Sequence, residues 1–111
     1  MNAYEIPGLR FSLPAGAEVA RAHFVSVDAS GNGIQATAET HVIGASMNQT
    51  KKGEVLEVAD GIVMVEAAGA ITSGVAVYAD ANGKAVATGT NKAGVAITAA
   101  TGAGQLVAVK I

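Results

Sequence analysis

The chain has 111 residues, the size of one domain, with a net charge of −2 and only 14% charged residues. Half of it is apolar, yet aromatics make up 4%, Trp is absent, and Ala and Val supply most of the apolar content. The seven basic residues (Arg10, Arg21, Lys51, Lys52, Lys84, Lys92, Lys110) are scattered, which argues against a nucleic-acid partner, and no apolar run approaches the ~20 residues that span a bilayer.

There is no Cys, so disulfide staples and thiolate chemistry are excluded. The N-terminus lacks a basic region followed by an apolar run, so no signal peptide is expected and the chain reads as cytosolic. An Ala/Val core stabilises less per residue than Leu, Ile or Phe, so either the core is thin or apolar surface is buried against a partner.

In chain order, Met1 to Ile6 form no pattern. Leu9, Phe11 and Leu13 then alternate with Arg10 and Ser12, a strand signature bracketed by Pro7-Gly8 and Pro14-Ala15-Gly16. The segment 1–21 is an N-terminal arm or an edge strand. Residues 22–111 are the β domain.

Strand signals fill that domain. Val25 to Ala38 carries Asn32-Gly33 near its centre. Val55 to Val58 and Ile62 to Val65 flank Asp60-Gly61. Val75 to Tyr78 and Ala85 to Thr88 flank Asn82-Gly83, and Gly94 to Ala100 and Gln105 to Ile111 flank Thr101 to Gly104. Asn-Gly and Asp-Gly tolerate positive φ, so each pair predicts a hairpin turn. The tips at Asn32 and Asn82 are expected to face solvent. No amphipathic helix is legible.

Shifted by about 50 positions, the chain overlays itself. Val25 and Val27 fall on Val75 and Val77, Asn32-Gly33 on Asn82-Gly83, Thr40 on Thr90, Gly44 on Gly94 and Leu56 on Leu106. The repeats cover about 22–66 and 73–111. The expected fold is all-β, a small barrel or sandwich built from two pseudo-repeated units.

Candidate chemistry is sparse. No Gly-x-Ser-x-Gly elbow supports a nucleophile, and Ser26, Ser46 and Asp28 have no triad signature around His23 or His41. Glu39 and His41 share a face if they lie in a strand, but their spacing with His23 matches no zinc pattern. Glu54, Glu57, Asp60 and Glu66 read as solvent-facing alternation rather than paired catalytic carboxylates. Gly31-Asn32-Gly33 and Gly102-Ala103-Gly104 are turns, since neither opens a helix. Tyr4, Phe11, Phe24 and Tyr78 are packing anchors, too dispersed for a stacking platform. The expectation is a non-enzyme with no catalytic residues, cofactor or metal.

The order of short motifs over nearly the whole chain resembles the bacteriophage capsid cement, or head-decoration, proteins. They are Pro7-Gly8-Leu9-Arg10-Phe11, Ala15-Gly16-Ala17, Phe24 to Asp28, Val42 to Ser46, Gly53 to Val58, Gly61 to Ala67, Ala79 to Ala85, Gly94-Val95-Ala96 and Gly104 to Val109. The resemblance implies a structural protein, made in the bacterial host's cytoplasm, that sits on the outer capsid surface. It implies that the protein clamps neighbouring major capsid protein subunits after the head expands, commonly as a homotrimer. The alternative is a cellular β-module that binds a polysaccharide or protein. With Met1 to Leu13 outside the repeat, Tyr4, Ile6, Leu9, Arg10, Phe11 and Leu13 are the candidate capsid or subunit contacts, with no role for a nucleic acid or a membrane.

Overall fold

The computed structural model describes residues 3–111; Met1 and Asn2, part of the N-terminal segment, lie outside the described residues. The described residues form nine strands and no helix. They are β1 (Ile6–Pro14), β2 (Phe24–Val27), β3 (Gly33–Gln35), β4 (Gly44–Ser46), β5 (Val55–Glu66), β6 (Ala76–Ala79), β7 (Ala85–Val86), β8 (Lys92–Ala96) and β9 (Leu106–Lys110). All ladders are antiparallel, in the order β3-β2-β4-β5-β9-β8-β6-β7, with β1 paired to β5 beside this path. The sheet curls into an all-β half-barrel.

That order is a palindrome of two units. β3-β2-β4 joined to the first half of β5 is matched by β7-β6-β8 joined to β9. Hydrogen bonds fix the correspondence residue by residue. Gly16 N–H donates to Gly33 O and Ala68 N–H to Ala85 O; Ala22 N–H donates to Ser46 O and Gly74 N–H to Ala96 O. Val19 bridges Thr50 as Ile71 bridges Ala100. The repeat therefore spaces 15–33 from 67–85 by 52 residues, and the later strands by 50 or 51.

Extended backwards, this match makes β1 the counterpart of the second half of β5. Leu13 pairs with Leu56 as Val65 pairs with Val107. The repeating unit drawn by the backbone is thus longer than the one read from the sequence, and it includes Ile6–Pro14. β5 serves twice: its first half closes unit one, and its second half opens unit two.

Two expected turns are corrected. Asp60-Gly61 does not end a strand, because β5 runs unbroken through it. Gly8 and Leu9 of β1 together face Asp60, forming a bulge, and Gly61 takes a φ of 88° beside it. The Asp60 carboxylate accepts the Leu9 N–H at 2.7 Å, so the bulged backbone keeps a partner. The long pairing with β1 on one side and with β4 and β9 along β5 outweighs the local turn preference.

The first hairpin does not turn at Asn32-Gly33 either. Gly31 carries the positive φ (83°), as Gly83 does (77°), and Gly33 opens β3. The matching segments are Asp28-Ala29-Ser30-Gly31-Asn32 and Asp80-Ala81-Asn82-Gly83-Lys84. Asp28 Oδ1 accepts the N–H of Ser30 and Asn32, and Asp80 Oδ1 accepts those of Asn82 and Lys84, all at 2.8–2.9 Å. The capping aspartate, rather than the Asn-Gly pair, sets the turn.

Two clusters form the core. The smaller holds Ala15, Val19, Val25, Leu56 and Val58, with Phe11, Leu13 and Ile43 against it. Its counterparts Ala67, Ile71, Val77, Val107 and Val109 lie in the larger cluster. There they are joined by Phe24, Ala45 and Ala59 from unit one. In β5, Val58 belongs to one cluster and the adjacent Ala59 to the other, because successive strand side chains point to opposite faces. The back of unit one is therefore buried on the front of unit two.

Candidate functional site

The residues considered for chemistry are dispersed or already engaged. His23 is buried, and its Nδ1 donates to the Arg21 carbonyl at 2.9 Å. Glu39 and His41 lie exposed in the segment between β3 and β4, not in a strand, so strand alternation does not align them. No group of three His, Cys, Asp or Glu side chains suited to a metal occurs among the described residues. Ser46 Oγ donates to the Ala20 carbonyl and accepts the His23 N–H, which ties it to the backbone.

The four carboxylates each have a local task. Glu54 Oε1 accepts the Lys51 N–H, Glu57 Oε1 accepts the Ser12 hydroxyl, Asp60 holds the bulge, and Glu66 pairs with Lys84 at 2.9 Å. They hold strands and turns in place. The Glu66 carboxylate, through its hydrogen bond and its charge, raises the Lys84 pKa above the ordinary 10.5.

Of the candidate contact residues, Ile6, Leu9, Arg10, Phe11 and Leu13 fall on β1, and Tyr4 precedes it. β1 is paired along its length with β5 through Ile6↔Ile62, Arg10↔Ala59 and Leu13↔Leu56. Ile6 and Leu9 are 60% and 64% exposed, unusual for aliphatic side chains in a folded chain. Tyr4 and Arg10 are also exposed, whereas Phe11 and Leu13 are half-buried against Leu56 and Val58. β1 thus presents two kinds of position: open apolar side chains toward its N-terminal end, and core-facing ones toward its C-terminal end.

Sequence reasoning missed Val55, which is 62% exposed at the start of β5 and pairs with Pro14. Its place in the alternation Glu54-Val55-Leu56-Glu57, with Leu56 buried, was the available signal. Of the two tips expected to face solvent, Asn82 is exposed and Asn32 is half-buried. The backbone of the Asn82-Gly83 turn is nonetheless docked on unit one: Phe24 N–H donates to Gly83 O at 2.7 Å, and Gln35 Nε2 donates to Asn82 O at 3.0 Å.

The described residues thus form a palindromic β half-barrel that assembles no reactive cluster and carries exposed aliphatics on β1. The family model described as phage cement protein matches residues 6–111. The chain belongs to the phage cement protein family. Its members are structural phage proteins, not enzymes, so this cement-family chain is a structural protein associated with the phage capsid.

Among solved structures, the head fiber gp8.5 N base of bacteriophage phi29 is similar, with a TM-score of 0.74 and 22% identity over 91% of each chain. At that identity the likeness concerns the fold. No curated protein matches the sequence. The match starting at residue 6 takes in the whole of β1, the strand that the hydrogen-bonded repeat also includes.

Proposed function

We propose that this cement-family protein binds the outer surface of the capsid and clamps neighbouring copies of the major capsid protein, stabilising the expanded head. The observation that carries the reading is the exposed aliphatic set on a rigidly paired strand. Ile6 and Leu9, with Tyr4 nearby and Val55 at the other end of the β1–β5 pair, offer apolar contacts. Burying one such side chain contributes about 1.5–3 kcal/mol, and many copies on one shell add their effects through multivalency. Arg10 lies between Leu9 and Phe11 on the same strand and serves as a polar contact at the rim.

The protein acts as a homo-oligomer, with a trimer favoured because capsid lattices present threefold positions. It is made in the host cytoplasm and ends in the virion. Its seven scattered basic residues give no patch for nucleic acid, and no helix among the described residues is long and apolar enough to cross a membrane.

Co-sedimentation with purified expanded and unexpanded heads tests the reading. Wild-type protein is expected to pellet with expanded heads and to raise their resistance to heat. Ile6→Asp and Leu9→Asp are each expected to weaken binding at least tenfold with an unchanged melting temperature. Wild-type affinity in both variants would remove β1 from the contact, and no binding to either head form would remove the clamp itself.

A further inference from the structure

The two units are alike in backbone but not in burial, and the difference sits at the two ends of the palindrome. On the front of unit two, Val63 and Val65 are fully buried. Their counterparts on the front of unit one, Phe11 and Leu13, are half-exposed. On the back of unit one, the cross-strand positions Phe24↔Ala45 and Ser26↔Ile34 include three residues that are at most 5% exposed. Their counterparts on the back of unit two, Ala76↔Val95 and Tyr78↔Val86, are all half-exposed.

Inside the chain, the back of unit one covers the front of unit two, as the larger core cluster records. The chain therefore carries one pair of these faces packed on each other and one pair without an internal partner: the Phe11 and Leu13 edge of the unit-one front, whose deeper residues Val19, Val25, Leu56 and Val58 are already fully buried, and the half-exposed back of unit two. Both carry half-exposed, largely apolar side chains: Phe11 and Leu13 on the first, and Ala76, Tyr78, Val86 and Val95 on the second.

We infer that they meet between copies: Phe11 and Leu13 of one protomer pack on Ala76, Tyr78, Val86 and Val95 of the next. The occupant is a second copy because a second copy holds the face that this chain already uses to cover the same kind of strand. The contact is head-to-tail, so repeated use generates a ring if the rotation closes and a filament if it does not. It deepens the homo-oligomer reading above by naming the surfaces, and it does not depend on capsid binding.

One element of the internal contact is not repeated. Glu66 N–H donates to the Ala22 carbonyl, whereas Pro14 at the matching position has no N–H. Side-chain packing, not a continued ladder, therefore joins the copies. Lys110, exposed where unit one has the buried Ala59, lies at the margin with its alkyl stem available.

The test is complementation. Phe11→Asp spoils only the front and Val95→Asp only the back. Light scattering on wild type is expected to show a discrete oligomer of three chains, and each variant alone is expected to be monomeric. An equimolar mixture is expected to form a one-to-one heterodimer and stop, because one intact front meets one intact back. Circular dichroism and melting curves confirm folding; if Phe11→Asp does not fold, Leu13→Ser replaces it.

A wild type that stays monomeric to millimolar concentration overturns the inference. So do a mixture that stays monomeric, and variants that assemble like wild type; one variant that still dimerises alone is the signature of a face pairing with itself. If wild type is monomeric while Phe11→Asp no longer binds heads, the front face belongs to the capsid, and the capsid reading stands without this one.

Discussion

At the residue scale, the repeat provides its own controls. Ala22 has a φ of 60° at the position where unit two has Gly74 at 87°. A Cβ in the left-handed region costs roughly 1–2 kcal/mol. Ala22→Gly is therefore expected to stabilise the fold by about 1 kcal/mol once the entropy of the extra glycine is subtracted. Gly74→Ala is expected to destabilise it by a similar amount, and urea denaturation of the two variants checks both signs.

Thr50 is a second control. Its hydroxyl is buried without a partner, while its matching position is Ala100, and both backbones make the same bridge, to Val19 and Ile71. Thr50→Val removes the stranded polar atom at nearly constant shape. The expected gain is about 1 kcal/mol. A loss on thermal melting would mean that the hydroxyl has a partner in solution.

The two turn aspartates make the opposite case. Each carboxylate takes two backbone N–H groups, so Asp28→Ala and Asp80→Ala are each expected to cost about 2 kcal/mol, more than an average surface substitution. Asp80→Ala is expected to cost more than Asp28→Ala, since its turn also receives Phe24 and Gln35 from unit one. Denaturant midpoints of the two variants check the order.

At the element scale, β5 explains most of the architecture. Twelve residues give it room for β1 on one side and for β4 and β9 in succession on the other. Two shorter strands joined by a turn at Asp60-Gly61 would have separated the units. Glu66, at the end of β5, also ties down Lys84 in the β6–β7 turn.

Because the Lys84 pKa is raised in the folded state, the pair's contribution is fully present below pH 10.5 and is lost as pH rises above it. Both side chains are about a third exposed, so the effect is small. The melting temperature is expected to show no pH-dependent change from this pair between pH 6 and 9, where its contribution is constant, and a slight decline above 10.5. Glu66→Gln is expected to abolish that part of the decline.

At the scale of the whole molecule, the thin core that an Ala/Val composition implies has a structural answer. Unit one supplies Phe24, Ala45 and Ala59 to the core of unit two, so small side chains from both units pack into one shared core. The halves are stitched again where Asn91 Nδ2 donates to the Glu39 carbonyl at 3.0 Å. Head binding belongs to this scale too. The exposed Ile6 and Leu9 are uncharged, so affinity for heads is expected to change little between low and high salt. Co-sedimentation at two ionic strengths measures it.

Much was legible without coordinates. Alternation at Leu9, Phe11 and Leu13, β-branched runs between Gly-rich turns, and the recurrence of Val25, Gly44 and Leu56 after about fifty residues all arise from local backbone preference and two-residue periodicity. These signals survive in any context, and the ordered motifs carried the cement resemblance. What tertiary structure decided was the register of the repeat. Whether Asp60-Gly61 turns or bulges depends on partners on both sides of β5, and whether Ile6–Pro14 is an arm or a strand depends on the pairing offered by residues 55–62. Which copy of each apolar face is buried depends on the other unit. Phe11 and Val63 have equal claim to a core by sequence, and only the packing of unit one on unit two buries Val63 and leaves Phe11 half-exposed.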